Sequence, residues 1–381
     1  MYSVNQHWDP LKVCIVGRTY EPSFYKFILN DKIRKVFERI AEETEEDYQK
    51  LISILESFGV KILRPNVYDD YRLYLSHDGK IIPPPMVPRD WMMMLGDKFY
   101  FKTRFDQHEH PDHFNPFNIS PLEYMTWGHI FEDINIQGNK IVNSIQVINP
   151  PKSNKLLQMF ASHHVTRIGK DLYFGTTDNA WWCEGRTQLH RFDSAPLDIL
   201  KKQYSEQFPD YRCHVINTMG HTDGVFSATV PGLIVSNYDV PTYSDTFPGW
   251  EVVYLPGGGW EAVKEFIDLK IKNRGKWWVP GEELNDEFTE FVETWLGHWV
   301  GFVEESVFDV NMLTIDEHNV VCSGTDERVF EAFTKRGITP HVVNFRHRYF
   351  WDGGLHCVTS DIHRIGEKKD FFPERENLNK K

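Results

Sequence analysis

Cysteine is scarce in this 381-residue chain: Cys14, Cys183, Cys213, Cys322 and Cys357 are odd in number, scattered and nowhere paired as C-x-x-C. A disulfide framework is therefore not expected, and each thiol reads as free, as in a reducing cytoplasm. Basic charge is short as well. Lysine and arginine number 42 against 55 acids, a net charge of −13, which excludes the basic stripe of a nucleic-acid surface and argues equally against an anionic membrane face. No apolar run approaches membrane-spanning length, and "MYSVNQHWDP" is polar and reaches proline before a signal-peptide core develops. Serine/glycine linkers and low-complexity tracts are missing too, and no domain boundary stands out. What is there is an ordinary globular composition, 41% hydrophobic and 14% aromatic, expected to be cytoplasmic and directed at small molecules.

The apolar positions recur in one order. Residues 30 to 58 set Ile33, Val36, Phe37, Ile40, Leu51, Ile52 and Leu55 in a helical period that is closed by Gly59 and followed by the strand "VKILRP". The order returns in "LKKQYSEQF" followed by "CHVINT", and in residues 325 to 336, which stop at Gly337 and pass to "HVVNF". Another helix is expected around 285 to 297, with Phe288, Phe291, Val292, Trp295 and Leu296 on one face. Between these units lie hairpin-like pairs of apolar runs, "MMMLGDKFYF", "VTRIGKDLYFG", "FSATVPGLIVS" and "MLTIDEHNVV". A strand pair with one helix buries only one face. Several such units must share a centre, so a ring of small α/β modules is expected.

Ionisable side chains meet turn residues in "VPRDW", "MGHTDGVF", "ESVFDVN" and "DGGLHC". A cysteine nucleophile needs a base to hold the thiolate, and a cationic carbon electrophile needs carboxylates around it; Cys357, His221, Asp90 and Asp223 supply that set. The paired glycine before Cys357 lets backbone approach a ligand closely. Spacing alone leaves open a plainer mix of core thiol and surface acids. Cys14 and Cys322, inside β-branched runs, read as small core hydrophobes. His108, His110 and His113 in "QHEHPDHF", together with His221 and Asp223, have spacings usable by a metal. No H-E-x-x-H or carboxylate-rich cluster completes them, so the loop reads as solvated and no metal is expected.

Four blocks, in order, resemble the amidinotransferase family. "NQHWDPLKVCIVGR" is similar to its W-D-P-L opening and the strand ending V-G-R, and "VPRDW" to its P-R-D turn. "GHTDGVFSATVPGLIVSN" is similar to its H-x-D-A-T-F…P-G-x-x-L-S-N block, and "GGLHCVTSDIHR" to its G-G-G-F-H-C-x-T-x-D-x-x-R ending. The resemblance implies an α/β fold of the pentein type: a pseudo-fivefold propeller of hairpin–helix modules around a polar channel, a single domain over residues 1–368; the polar composition of 369–381 reads as a frayed tail. It also implies transfer of an amidino group from arginine or an arginine-like guanidino donor to an acceptor amine. Cys357 would attack the guanidinium carbon, and His221 would protonate the departing amine and then deprotonate the acceptor. Asp90 and Asp223 would hold the guanidinium by charge-assisted hydrogen bonds, with no cofactor required. Guanidine hydrolases of the deiminase and dihydrolase type share the fold, the cysteine and the histidine, so hydrolysis is the alternative activity, and a catalytically impaired binding protein is the third reading. Small molecules are the expected partners, and a homodimer is left open.

Three positions depart from the pattern. The aspartate that orients the family's histidine falls at Ala161, with His163 and His164 nearby as substitutes. The arginine matching a substrate-carboxylate clamp falls at Val240, and a serine pair at Glu304 and Glu305. Acids there repel a substrate carboxylate and attract a second amine, so Glu305 is taken as substrate-binding and the expected substrate is agmatine-like or a diamine. The alternative leaves both glutamates in solvent and binds a carboxylate with Arg346 or Arg348.

Overall fold

The computed structural model describes residues 1–102, 116–117, 119–143, 162–176, 197–218, 221–237, 243–255, 279–282, 284–297, 299, 310–324, 326–351 and 353–377. Among them are five three-stranded sheets with one plan: an antiparallel pair, then a third strand parallel to the middle one. β3 (Met92–Leu95), β4 (Lys98–Phe101) and β5 (Lys140–Asn143) form one sheet, and β6 (Val165–Ile168), β7 (Asp171–Thr176) and β8 (Arg212–Asn217) the next. β9 (Phe226–Val230), β10 (Leu233–Ser236) and β11 (Glu251–Tyr254) follow, then β12 (Leu313–Asp316), β13 (Asn319–Cys322) and β14 (Thr339–Val342). The remaining sheet joins the two ends of the chain. β1 (Leu11–Val16) lies parallel to β2 (Lys61–Leu63) and antiparallel to β15 (Thr359–Arg364).

A parallel neighbour demands a crossover, and helices supply it. α1 (Asp31–Ser57) connects β1 to β2, α2 (Pro121–Ile136) connects β4 to β5, α3 (Leu197–Gln207) connects β7 to β8, and Glu327–Arg336 connects β13 to β14. Their ends are set locally. Asn30 accepts from the backbone N–H groups of Lys32 and Ile33, Ser120 and Glu123 form a reciprocal capping box, and Asp326 caps the last crossover helix. That helix stops at Gly337, whose φ of 65° is left-handed and open to glycine at little cost. The helix Asp286–Trp295 is capped by Asn285 and packs Phe288 and Val292 against the core beneath α1.

The third, outer strand of each sheet is the least buried. β3 and β6 are buried at every residue and β15 at all but one, whereas β2, β11 and β14 are half-exposed edges. The first strands of the hairpins therefore face one another. Ser360 Oγ on β15 donates to Met92 O on β3, Arg167 on β6 donates to Met94 O on β3, and Thr314 Oγ1 on β12 donates to Thr229 O on β9. Arg364 Nη2 on β15 donates to Thr314 O, and Thr222 Oγ1, ahead of β9, donates to His164 O, ahead of β6. These bonds run round a closed ring of five modules.

At the hub sits one carboxylate. Asp361 accepts from Arg89 at 2.7 Å, Arg167 at 2.6 Å and Arg364 at 2.7 Å, and all four side chains are buried. Burial would raise its pKa, but the three guanidinium groups hold it well below the usual carboxylate range. Other N–H groups of these arginines donate to the carbonyls of Asp9, Met94, Thr314 and Thr359, while Arg89 Nη2 and Arg167 Nε are buried without a hydrogen bond among the described residues.

The tail reading is corrected over the described part of residues 369–381, which ends at 377. Phe372 is buried, Phe371 packs edge-on against Trp8, Asp370 pairs with Arg212, and Arg375 donates to Asp171 at 2.8 Å. Two phenylalanines outweigh the surrounding polar residues.

Candidate active site

Cys357 lies in the turn between the helical turn at Arg348–Trp351 and β15, and is buried. The turn is held by Asn311, next to Met312 at the start of the last hairpin. Asn311 Oδ1 accepts the backbone N–H of His356 at 2.7 Å and of Cys357 at 3.1 Å. Its Nδ2 donates to Cys357 Sγ at 3.0 Å and to Asp223 O at 3.2 Å. Gly354 makes this approach possible, since a Cβ there would lie 2.5 Å from Asn311 Oδ1.

Asp223 sits on the single turn α4 (Thr222–Val225). Its Oδ2 accepts from His356 Nδ1 at 2.7 Å and lies 3.6 Å from Cys357 Sγ. Oδ1 is buried and has no hydrogen-bond partner among the described residues. Burial favours the neutral acid, but the His356 bond and the nearby His221 and Arg89 together lower its pKa, so the carboxylate is ionised. Burial and Arg89 in turn lower the pKa of His356 despite Asp223, leaving a neutral ring whose Nδ1–H donates.

His221 precedes α4, and its ring stacks on His163 with centroids 3.5 Å apart and meets His164 edge-on at 5.3 Å. Both partners belong to the short turn Ser162–His164 that leads into β6. His163 Nδ1 lies 3.5 Å from Asp90 Oδ1. Asp90 ends the turn Pro88–Asp90, where the Arg89 backbone N–H donates to Cys357 O at 3.3 Å. Nitrogen atoms of His163, His164 and His221 lie within 4.8 Å of one another, the one metal-capable group of histidines, cysteines and acids found among the described residues.

Of the residues singled out in the sequence, Cys357 and Asp223 come together directly, and His221 and Asp90 meet through His163. Glu305 lies outside the described residues, as do Ala161, Val240, Glu304, Cys183, His108, His110 and His113. Of the two arginines expected to bind a carboxylate, Arg346 is engaged by Asp47 and Glu46 on α1, and Arg348 donates to Asn344. Cys14 is buried in the core, where burial pushes its thiol up to about 12, and Cys322 is buried as well. Sequence reasoning missed Asn311, His356 and the Arg89–Asp361 pair. Each stood inside a block already quoted, as a neighbour of the residue that drew attention.

No family model matches the chain. Glycine amidinotransferase, mitochondrial, of Xenopus tropicalis is 22% identical over 400 residues, covering 96% of this chain and 83% of that protein. Inosamine-phosphate amidinotransferase 1 of Streptomyces glaucescens is 19% identical over 398 residues, covering 97% and 99%. Among solved structures, an amidinotransferase of the saxitoxin biosynthetic pathway from Microseira wollei superposes with a TM-score of 0.62 at 18% identity, covering 97% of this chain and 99% of its own. No helix among the described residues is long and apolar enough to cross a membrane. In sequence over nearly its whole length the chain is similar to these amidinotransferases, and its ring of five modules is similar in fold to the solved one.

Proposed function

We propose that the chain transfers an amidino group from a guanidino donor to an acceptor amine through a covalent intermediate on Cys357. The observation that carries this is the pairing of a buried cysteine with an ionised carboxylate at 3.6 Å whose second oxygen is buried without a hydrogen-bond partner among the described residues. An anion so placed repels a thiolate and attracts a cation. A guanidinium hydrogen-bonded to Asp223 Oδ1 would offset that repulsion and set its central carbon beside Sγ, so the electrophile itself favours the thiolate. Asn311 Nδ2, 3.0 Å from Sγ, offers the thiolate a hydrogen bond.

In the first half-reaction the Sγ–C bond forms and the C–N bond to the departing amine breaks, with His221 giving that amine its proton. In the second, the acceptor amine gives a proton to His221 and attacks the amidino carbon. The C–S bond breaks, Cys357 returns as thiolate, and the new guanidine leaves. Asp90 is read as the second carboxylate on the guanidinium, and Glu305 as contacting the remainder of the substrate.

The test is incubation with arginine or agmatine and a panel of amines, followed by mass spectrometry of the products and of the protein. An added amidino group on Cys357 and a new guanidine are expected. A ureido product in place of a guanidine would make the chain a hydrolase, and absence of any adduct or product would leave it a binding protein.

A further inference from the structure

His163 and His164, expected from the sequence only as substitutes for the carboxylate that orients His221, have donor atoms within 4.8 Å of each other and of His221, two of the rings buried and the third half-buried. We propose that these three imidazoles form a binding site for a divalent transition metal, of which Zn²⁺ suits the ligand set best. Three histidines leave one coordination position open, the ligand number of a tetrahedral site that also admits water. With metal–nitrogen bonds of about 2.0–2.1 Å, ligating nitrogens stand roughly 3.4 Å apart. No pair therefore needs to close by more than about 1.4 Å, within the reach of side-chain rotation. His221 must also turn out of its stack on His163, because an ion lies in the plane of each ring that binds it.

Two further observations point to the same ligand. Asp90 Oδ1 stands 3.5 Å from His163 Nδ1 without a hydrogen bond between them, near enough for a small rotation to make it the carboxylate that orients a ligating imidazole. The two ligand-bearing segments are tied together by the Thr222 Oγ1 bond to His164 O at 3.0 Å, so the donors are held on turns that lead directly into β6 and β9. A metal here takes up the His221 lone pair. Resting on the proposed function, the consequence is that Zn²⁺ reversibly inhibits amidino transfer and that a chelator restores it.

Binding is measured first, without substrate, on the full chain: Zn²⁺ by equilibrium dialysis, and Co²⁺ by its visible absorption. One ion per chain and a tetrahedral Co²⁺ spectrum without a thiolate charge-transfer band are expected. Asp90→Asn should weaken Zn²⁺ by about 10–100-fold, and His164→Ala by more, with an unchanged near-ultraviolet circular dichroism spectrum as the check on folding. Should His164→Ala misfold, His164→Gln and His163→Gln provide the same comparison. Cys357→Ala should bind Zn²⁺ like the parent. Retention of the ion in every histidine variant, or its loss in Cys357→Ala, overturns the site. Transfer that proceeds undiminished with the ion bound overturns the inhibitory role alone, whereas an ion that binds while no donor reacts counts only against the proposed function.

Discussion

Asn311 holds the site by four bonds from one amide, two accepted from the backbone of the cysteine turn and two donated, to Cys357 Sγ and to Asp223 O. Asn311→Asp keeps the acceptor but replaces the Sγ donor with a second negative charge, so alkylation of Cys357 by iodoacetamide should shift to higher pH than in the parent. An unshifted profile would mean that Asn311 does not support the thiolate. His356 acts one step further out, because it touches Asp223 and fixes which carboxylate oxygen remains for a ligand. Loss of a hydrogen bond to a charged group costs about 1.5–3 kcal/mol, or roughly 10–100-fold. His356→Phe should therefore raise KM for the guanidino donor by about that factor with a smaller loss in kcat, and His356→Gln, which keeps an N–H donor, should recover part of it. Equal recovery by Phe and Gln would show that the ring serves only to fill space.

At the scale of elements, the hairpins and crossovers were legible because their signals are local. "MMMLGDKFYF" is β3–β4, "VTRIGKDLYFG" is β6–β7, and the helical period from residue 30 to 58 is α1 with its cap at Asn30. A ring was expected, but which strands close it was not legible. β15 pairs with β1 across more than three hundred residues, and its segment carries the cysteine motif, which reads as chemistry before it reads as a strand. The ion hub escaped for the related reason that Arg89, Arg167, Asp361 and Arg364 are far apart in sequence and look like surface charges one at a time. The end of the chain escaped because its composition is polar while its two phenylalanines decide its place. Phe372 packs against Trp250 and Arg375 reaches Asp171, so this segment fastens the modules of β6–β8 and β9–β11 from outside. Phe372→Ala should cost about 3–5 kcal/mol, and truncation after Ile365 should cost at least as much, both seen as a lower urea midpoint. A truncated chain as stable as the parent would show the segment to be an appendage.

For the molecule as a whole, two features of charge have measurable consequences. Burial lowers the pKa of His7, His214, His347 and His356, which stay neutral in the fold. The unfolded chain takes up protons at these positions near pH 6.5 and the folded chain does not, so their contribution is complete above pH 6.5 and is lost as pH falls below it. Asp171, Asp223 and Asp361 have lowered pKa values, and their contribution fails only below about pH 4. The thermal midpoint should therefore begin to fall between pH 6.5 and 5. His7→Gln, which can still accept the Arg167 backbone N–H, should make that fall shallower, and a pH dependence confined to the carboxylate range would contradict the assignment. The second feature is the net charge of −13. A guanidino donor is a cation, and one with a second amine and no carboxylate is drawn more strongly by such a surface than zwitterionic arginine. Of the two arginines expected to bind a carboxylate, Arg346 is engaged by α1 and Arg348 donates to Asn344; with Glu305 placed at the substrate as proposed, charge favours the dication. Agmatine and putrescine should then compete more tightly than arginine and ornithine, and kcat/KM for agmatine should fall more steeply with salt between 0.05 and about 0.5 M, where the Debye length drops well below 10 Å. Tighter competition by arginine, with Glu305→Ser leaving the order unchanged, would remove charge as the basis of selection.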